Sequence, residues 1–272
     1  MVFEARKRNI LYLSVFMIFD PIRVVAAALM SEILNDESYS VRIFRTPMTR
    51  KTIGFDPKYC VAPMVGQSDL AFRLLCLTHG ATVCWTEMLF SEKIITDPDY
   101  CRNSLKSCSQ DRPLIVQLCG NDPKIMAQAA NIVEQHCQRN YGLDGIDINL
   151  GCPQKRAQDG HYGSFLLDKR DWSLVESIVR AMDASVSVPV TCKIRLLQTE
   201  QQTLQFCGRL QAAGAAMISV HGRQRGGQRH GRRGPANLEA IAAVKRSLSI
   251  PVISNGNIRC PEVALPSAKF KS

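Results

Sequence analysis

The sequence predicts an α/β protein of the (β/α)8 class, a TIM-type barrel that is incomplete at about seven of its eight units. Short β-branched or apolar runs alternate with longer segments of helical periodicity, which is typical of parallel α/β folds. These units recur at a spacing of roughly 30 residues. No GxGxxG motif follows the first apolar run, which disfavours the doubly wound alternative.

The predicted strands are short apolar runs that begin after about residue 55 and contain many β-branched side chains. In chain order they are Cys60–Val65, Thr82–Thr86, Leu114–Leu118, Gly145–Asn149, Val188–Ile194, Met217–Val220 and Pro251–Ser254. After the seventh run, Ile258–Ser272 shows no further strand pattern, so an eighth unit is predicted to be missing. The chain divides accordingly into an irregular N-terminal extension (1–54), the barrel domain (55–260) and a tail (261–272).

The predicted helices lie between these strands. Ser68 is expected to cap the first helix and Gly80 to end it. The residues predicted to share one face of this helix are Ala71, Leu74, Leu75 and Thr78. Asp122-Pro123 is expected to begin the next long helix, because proline is favoured at the first helical position. Further helices are predicted at Trp172–Met182, Thr203–Ala213 and Asn237–Leu248, and a polar loop at Glu92–Arg112.

The charge of the protein is positive, with a formal net charge of +10. Five arginines of one short glycine-rich stretch contribute to it: Arg223, Arg225, Arg229, Arg232 and Arg233. Clustered cations gain affinity for phosphates by releasing counterions, so this cluster favours a polyanionic partner. The alternative interpretation is a basic protein in which the stretch is a solvated loop.

The 11 cysteines are scattered without a CxxC pair. This pattern disfavours a disulfide framework and a zinc ribbon, and it predicts reduced thiols and no bound metal. We therefore expect a cytoplasmic or nuclear protein. The apolar run Ile10–Phe19 is shorter than the roughly 20 residues that span a bilayer, so no stable membrane association is expected. The alternative is that this N-terminal segment targets the protein to mitochondria. The sequence does not indicate an oligomeric state.

Six of the seven predicted strands end in residues able to contact a ligand, at the edge where the active sites of such barrels gather. They are Met64, Gln117, Asn149 with Cys152, Lys193 with Arg195, His221 with Arg223, and Asn255 with Asn257. A single histidine at a strand end is more often structural, but the set predicts one site. Cys152 lies between a glycine and a proline. Its thiol can serve as a nucleophile beside a cation, or as a general acid if it stays protonated.

The strand-end motifs closely resemble those of the tRNA-dihydrouridine synthases, in particular the eukaryotic branch acting on D-loop positions 16 and 17. The motifs are APMV, PLIVQLCGNDP, GIDINLGCPQ, GHYGSFLL, VPVTCKIR, VHGR and IPVISNGNI. The resemblance runs from about Lys58 to Cys260. Each motif follows a different predicted strand and all occur in the expected order, which makes the resemblance specific.

The resemblance implies an enzyme that contains flavin mononucleotide (FMN), is reduced by NADPH and acts on tRNA. Hydride would be delivered to C6 of uracil, and Cys152 would protonate C5 as general acid. The implied cofactor-binding residues are Ala62, Pro63, Met64, Gln117, Lys193, His221, Asn255, Gly256 and Asn257. Asn149 and Arg195 would face the uracil, and the segment that begins at Arg223 would contact RNA phosphates.

The chain departs from this family in its C-terminal part. Family members continue through an eighth strand and a helical tRNA-binding domain, neither of which is predicted here. An open barrel exposes two strand edges, so a marginally stable fold is expected. Two alternatives to a tRNA reductase therefore stay open: an FMN barrel that acts on a free pyrimidine or small enone, and a truncated, non-catalytic RNA-binding or regulatory fragment.

Overall fold

The computed structural model describes residues 51–226, 235–256 and 258. They form a seven-stranded parallel sheet in which the strands lie side by side in chain order. The strands are β1 (Cys60–Val61), β2 (Val83–Phe90), β3 (Leu114–Cys119), β4 (Gly145–Leu150), β5 (Val190–Leu196), β6 (Met217–Gln224) and β7 (Val252–Asn255). The sheet curls into an open barrel with helices between its strands. This confirms the predicted fold class.

The helices are α1 (Leu70–Thr78), α2 (Ser91–Thr96), α3 (Pro98–Ser104), α4 (Pro123–Asn140), α5 (Lys155–Asp159), α6 (Trp172–Ser185), α7 (Glu200–Ala213) and α8 (Leu238–Ser247). Two short 3-10 helices, Gly163–Leu167 and Lys169–Asp171, lie between α5 and α6. None of the helices in the described part of the chain is long and apolar enough to cross a membrane.

The two faces of each strand differ because successive side chains point to opposite sides of a sheet. On the outer face, Val116, Ile148 and Ile194 pack with the helices in the main apolar core. On the inner face a smaller cluster, which includes Trp85 and Met217, fills the amino-terminal half of the barrel. The inner face therefore has an apolar lower half, and polar side chains remain at the carboxyl ends.

The predicted cap of the first helix was wrong by one residue. Asp69 caps α1, since its carboxylate accepts a hydrogen bond from the backbone N–H of Phe72 at 2.8 Å. The Ser68 hydroxyl instead accepts from the N–H of Met64 at 2.9 Å and donates to the carbonyl of Ala62 at 3.3 Å. Both residues have capping side chains, and the buried hydroxyl of Ser68 is used to close the loop after β1.

The side of α1 that is buried is not the apolar face that the periodicity indicates. Leu75 is 57% exposed, whereas Arg73 is only 2% exposed. The Arg73 guanidinium forms an ion pair with Asp111, which is fully buried in the segment before β3. This long-range pairing of charges places a polar side chain where periodicity alone predicts an apolar one.

The segment predicted as a polar loop, Glu92–Arg112, contains most of α2 and all of α3. Asp97 caps α3 by accepting from the N–H of Tyr100 at 2.9 Å, and Pro98 occupies the first helical turn. The same Asp-Pro signal begins α4, where the prediction was confirmed. The short length of α3 hid its periodicity, but the capping signal was present in the sequence.

Some predictions fall outside the described residues. They concern residues 1–50 of the N-terminal extension, the tail (261–272), Asn257, and the arginines Arg229, Arg232 and Arg233. The strands β1 and β7 form the two edges of the sheet within the described ranges.

Candidate active site

The register of the parallel strands brings the predicted strand-end residues together on the inner face of the barrel. Asn149 on β4 lies opposite Lys193 on β5. Arg195 lies opposite His221 on β6, which in turn lies opposite Asn255 on β7. Because these residues alternate with side chains of the outer core, all five occupy one face and one edge of the sheet. The predicted convergence of these strand ends is observed.

A relay of side-chain hydrogen bonds crosses the inner face from β4 to β3 and back. The Gln117 amide donates from Nε2 to Asp147 Oδ2 at 2.7 Å. Its Oε1 accepts from Asn149 Nδ2, also at 2.7 Å. Asn149 Oδ1 then accepts the backbone N–H groups of Gly151 at 3.1 Å and Cys152 at 3.0 Å. The carboxylate at one end thus fixes the orientation of both amides and of the Cys152 backbone.

Asp147 was not among the predicted site residues. It is fully buried, and its Oδ1 accepts from the Thr191 hydroxyl at 2.6 Å. Burial raises the pKa of Asp147 to about 6, although hydrogen bonds from Gln117 and Thr191 and the charge of Lys193 act in the opposite direction. The sequence did contain a signal, because Asp147 and Asn149 are two residues apart in one strand and must share a face.

Hydrogen bonds fix the backbone of Gly151 and Cys152. Arg195 Nε donates to the carbonyl of Gly151 at 2.7 Å. The N–H and the hydroxyl of Ser164 both donate to the carbonyl of Cys152, at 3.0 and 2.9 Å. With the two N–H groups bound to Asn149, each backbone polar group of residues 151 and 152 has a partner. The half-buried thiol of Cys152 is therefore presented from a fixed loop.

A glycine makes this close packing possible. Gly163 has a φ of +64°, a region that favours glycine. A Cβ atom there would lie 2.8 Å from the carbonyl oxygen of Cys152 and 3.0 Å from its Cβ. The side chains of Cys152 and Phe165 both pack against a small apolar cluster that includes Tyr162. The segment around Gly163 therefore packs directly against the Cys152 backbone.

Lys193 carries a positive charge on the inner face of β5, opposite Asn149 of β4. Its Nζ donates to Asn255 Oδ1 at 3.3 Å. Burial lowers the pKa of Lys193 to about 8, and Arg195 acts in the same direction, while Asp147 and Cys152 oppose the shift. The side chain is therefore mostly charged at neutral pH, and it loses its charge in the mildly alkaline range.

His221 has a buried ring nitrogen, Nδ1, with no hydrogen-bond partner among the described residues. Burial lowers the pKa of His221 to about 4, and the charges of Arg195, Lys193 and Arg223 lower it further. The ring is therefore neutral at pH 7. Gly256, whose φ is +120°, lies against it, since a Cβ there would be 3.4 Å from Cε1.

The unpartnered nitrogen and its surrounding cations suit a ligand that is anionic and can hydrogen-bond. A buried polar atom without a partner costs free energy, so such atoms are usually paired by water or a ligand. The three cationic side chains near His221 are Lys193, Arg195 and Arg223. Among the described residues, no group of three or more His, Cys, Asp or Glu is arranged to hold a metal ion.

The other predicted site residues are placed as follows. Ala62, Pro63 and Met64 form the half-buried loop after β1, also at the carboxyl edge of the sheet. Gln117 is fully buried, and both ends of its amide are hydrogen-bonded within the relay. Its contact with a cofactor stays a prediction. Arg223 is half-buried on β6. The ligand contacts assigned to these residues also stay predictions.

Two cavities lie beside this edge of the barrel. One, of about 420 Å³, is lined among others by Phe90, Cys119, Arg156 and Tyr162. The other, of about 220 Å³, is lined among others by Ser164, Asp168, Trp172 and Arg225. Neither is lined by the strand-end residues of the relay, but both border segments that contact Cys152.

Comparison with known proteins agrees with the predicted family. The family model described as "Dihydrouridine synthase (Dus)" matches residues 60–267. The chain is 42% identical over 212 residues to tRNA-dihydrouridine(16/17) synthase [NAD(P)(+)]-like of Mus musculus, covering 77% of this chain and 42% of the mouse protein.

Two further relatives come from a yeast and a bacterium. The tRNA-dihydrouridine(16/17) synthase [NAD(P)(+)] of Saccharomyces cerevisiae is 40% identical over 76% of this chain and 48% of its own length. The tRNA-dihydrouridine synthase B of Shewanella oneidensis is 40% identical over 75% of this chain and 61% of its own length. The chain spans a little less than half the length of the mouse and yeast relatives. Because the family model covers well over half of the chain, this protein belongs to the dihydrouridine synthase family.

Proposed function

We propose that this protein catalyses the FMN-dependent, NADPH-driven reduction of uridine to 5,6-dihydrouridine in tRNA, at D-loop positions 16 and 17. The observation that carries the proposal is the convergence of the rigid Cys152 loop and the cation-rich strand ends at one edge of the barrel. The names of the mouse and yeast relatives supply the target positions.

The strand-end residues fit FMN as the cofactor. Lys193, Arg195 and Arg223 offer positive charge to its phosphate and to the anionic reduced ring. His221 Nδ1 offers a hydrogen-bonding atom that has no partner in the described part of the protein. Gly256 keeps the space beside this ring free of a side chain. Bound and reduced FMN would supply a hydride to C6 of the uracil ring.

The protein itself contributes a proton, which the Cys152 thiol donates to C5 of the base. Hydride addition at C6 leaves negative charge delocalised between C5 and the C4 carbonyl of the base. A neutral Cys152 thiol beside C5 donates its proton there, which completes the saturated bond. One hydride and one proton are consumed, and NADPH becomes NADP⁺. The hydrogen bonds to the backbone of residues 151 and 152 hold this thiol in place.

Purification of the chain tests the proposal directly. We expect the protein to retain FMN, seen as visible flavin absorption that stays with the protein on gel filtration. Incubation with NADPH and unmodified tRNA should yield dihydrouridine at positions 16 and 17, measured by nuclease digestion and mass spectrometry.

The same experiment decides between the alternatives. Free uridine in place of tRNA is the control, and product from it would favour a reductase of free pyrimidines. A folded protein that binds tRNA but neither retains nor takes up FMN would contradict the proposal and favour the non-catalytic fragment.

The charge of Lys193 predicts a pH dependence of cofactor binding. Because its pKa is about 8, the side chain is mostly charged at pH 7 and mostly neutral at pH 9. The affinity for FMN is therefore expected to fall by about tenfold over this range, following the loss of one proton. Quenching of flavin fluorescence at each pH measures it.

Two variants test whether Lys193, and not a neighbouring residue, causes the pH dependence of FMN binding. Lys193→Met should bind FMN weakly and with little dependence on pH. Cys152→Ala should keep the decline, since it removes the nearby thiol but not the ammonium group. A decline that persists unchanged in Lys193→Met would assign it to another group, Asp147 and Arg195 being the other charged neighbours.

A further inference from the structure

Arg225 contacts three residues of a single neighbouring segment. Its Nη1 donates to the carbonyl of Ser164 at 2.8 Å, and its Nη2 donates to Asp168 Oδ1 at 3.0 Å. Its guanidinium also lies over the ring of Phe165, 4.8 Å from the centroid. The sequence suggested that this arginine belongs to an RNA-binding cluster. In the structure, its charge is paired within the protein.

The segment that Arg225 contacts is the one that holds Cys152. Ser164 donates two hydrogen bonds to the Cys152 carbonyl, from its N–H and from its hydroxyl. Phe165 packs in the same apolar cluster as the Cys152 side chain. Gly163 approaches the Cys152 backbone so closely that a Cβ atom would clash with it. A shift of this segment must therefore move the Cys152 loop.

We infer that Arg225 is a positioning residue for Cys152, which it holds in place through Ser164 and Phe165. The inference rests on the proposed function, in which the Cys152 thiol donates the proton. Arg225 belongs to the segment immediately after β6, whereas Ser164 lies in the 3-10 helix between α5 and α6. The guanidinium thus connects these two segments through two N–H donors and one planar face that stacks on an aromatic ring. A lysine side chain lacks this geometry.

The reactivity of the Cys152 thiol tests this role without requiring turnover. The full chain is treated with iodoacetamide, and the modification of each cysteine is followed by peptide mass spectrometry. In Arg225→Ala we expect Cys152 to be alkylated about tenfold faster, the factor that corresponds to the loss of a charge-assisted hydrogen bond. Cys76, which lies on α1, is the internal reference and should react at an unchanged rate.

Kinetics on tRNA give the second readout. Arg225→Ala should lower kcat by about tenfold and change KM for tRNA little, because positioning acts on the proton transfer. Arg225→Lys keeps the charge but not the fork, so it should restore little of the loss. Arg102→Ala removes an arginine from an exposed ion pair with Asp99 and serves as the matched control, with no effect on either readout.

Two outcomes would overturn the inference. One is an unchanged alkylation rate of Cys152 in Arg225→Ala. The other is a raised KM for tRNA with normal kcat that Arg225→Lys restores, which would make Arg225 a phosphate contact. Should Arg225→Ala fail to fold, Asp168→Asn provides the test, because it weakens the same clamp at a 40% exposed side chain.

The failure of the inference can be told apart from failure of the proposed function. If the unmodified chain forms no dihydrouridine, the proposed function fails, while the alkylation rates still decide whether Arg225 positions the thiol. If it forms dihydrouridine and the alkylation rate does not respond, only the inference fails.

Discussion

Replacing Cys152 with alanine is expected to reduce dihydrouridine formation by about 10²–10⁴-fold, the usual contribution of a general acid. The loop itself should survive, because its hydrogen bonds use backbone atoms of residues 151 and 152 and not the thiol. Binding of FMN and of tRNA should therefore change little. Single-turnover formation of dihydrouridine, measured with saturating protein, isolates the chemical step.

Cys76→Ala is the matched control for this variant. Cys76 is also a half-buried free cysteine, but it lies on α1, away from the strand-end residues. It should retain full activity. Normal single-turnover rates in Cys152→Ala would remove the thiol from the mechanism, and loss of FMN binding in this variant would show that the thiol supports the cofactor site instead.

Replacing Arg73 with alanine is expected to lower the free energy of unfolding by about 3–5 kcal/mol, the usual cost of breaking a buried ion pair. The change leaves the Asp111 carboxylate, which is fully buried, without its cation. It also removes hydrogen bonds to the carbonyls of Ser68, at 2.8 Å, and Lys106, at 3.1 Å. The loss would be a large part of the roughly 5–15 kcal/mol typical of a folded domain.

Urea denaturation followed by circular dichroism measures this loss. Arg102→Ala, in an ion pair whose side chains are 65% and 79% exposed, should change the stability by less than about 1 kcal/mol. The double variant Arg73→Met/Asp111→Leu removes both charges and should recover much of the loss. Equal losses in the single and double variants would mean that the helix contacts, and not the charge left in the core, determine the cost.

The sequence predicted the fold well because its signals are local. Each β-strand is a short apolar run, and all seven runs were recognised, although β1 ends at Val61 and not at Val65, and β2 extends to Phe90 and not to Thr86. Local signals failed where two residues compete for one role, as Ser68 and Asp69 do at the start of α1. They also failed for Arg73, whose burial depends on a partner 38 residues away.

The sequence predicted where the candidate site lies, but only some of the residues whose hydrogen bonds support it. Parallel strands with ends at one edge made the meeting of Asn149, Lys193 and His221 predictable. Asp147 could have been assigned from its strand face, which it shares with Asn149, but the supporting residues Ser164 and Arg225 could not. Their roles arise from side-chain hydrogen bonds between segments far apart in the chain, which periodicity does not report.

The relay that ends at Asn149 has a consequence for base discrimination. An ionised Asp147 can only accept hydrogen bonds, so the amides of Gln117 and Asn149 are both locked in one orientation. Asn149 is left with a single side-chain N–H to offer, because its other amide N–H donates to Gln117 and its oxygen accepts two backbone N–H groups. Under the proposed function, a base whose C4 edge meets this N–H must present an acceptor there, as the uracil C4 carbonyl does and the cytosine amino group does not. The buried carboxylate of Asp147 would in this way disfavour a cytosine that is bound with its C4 edge toward Asn149.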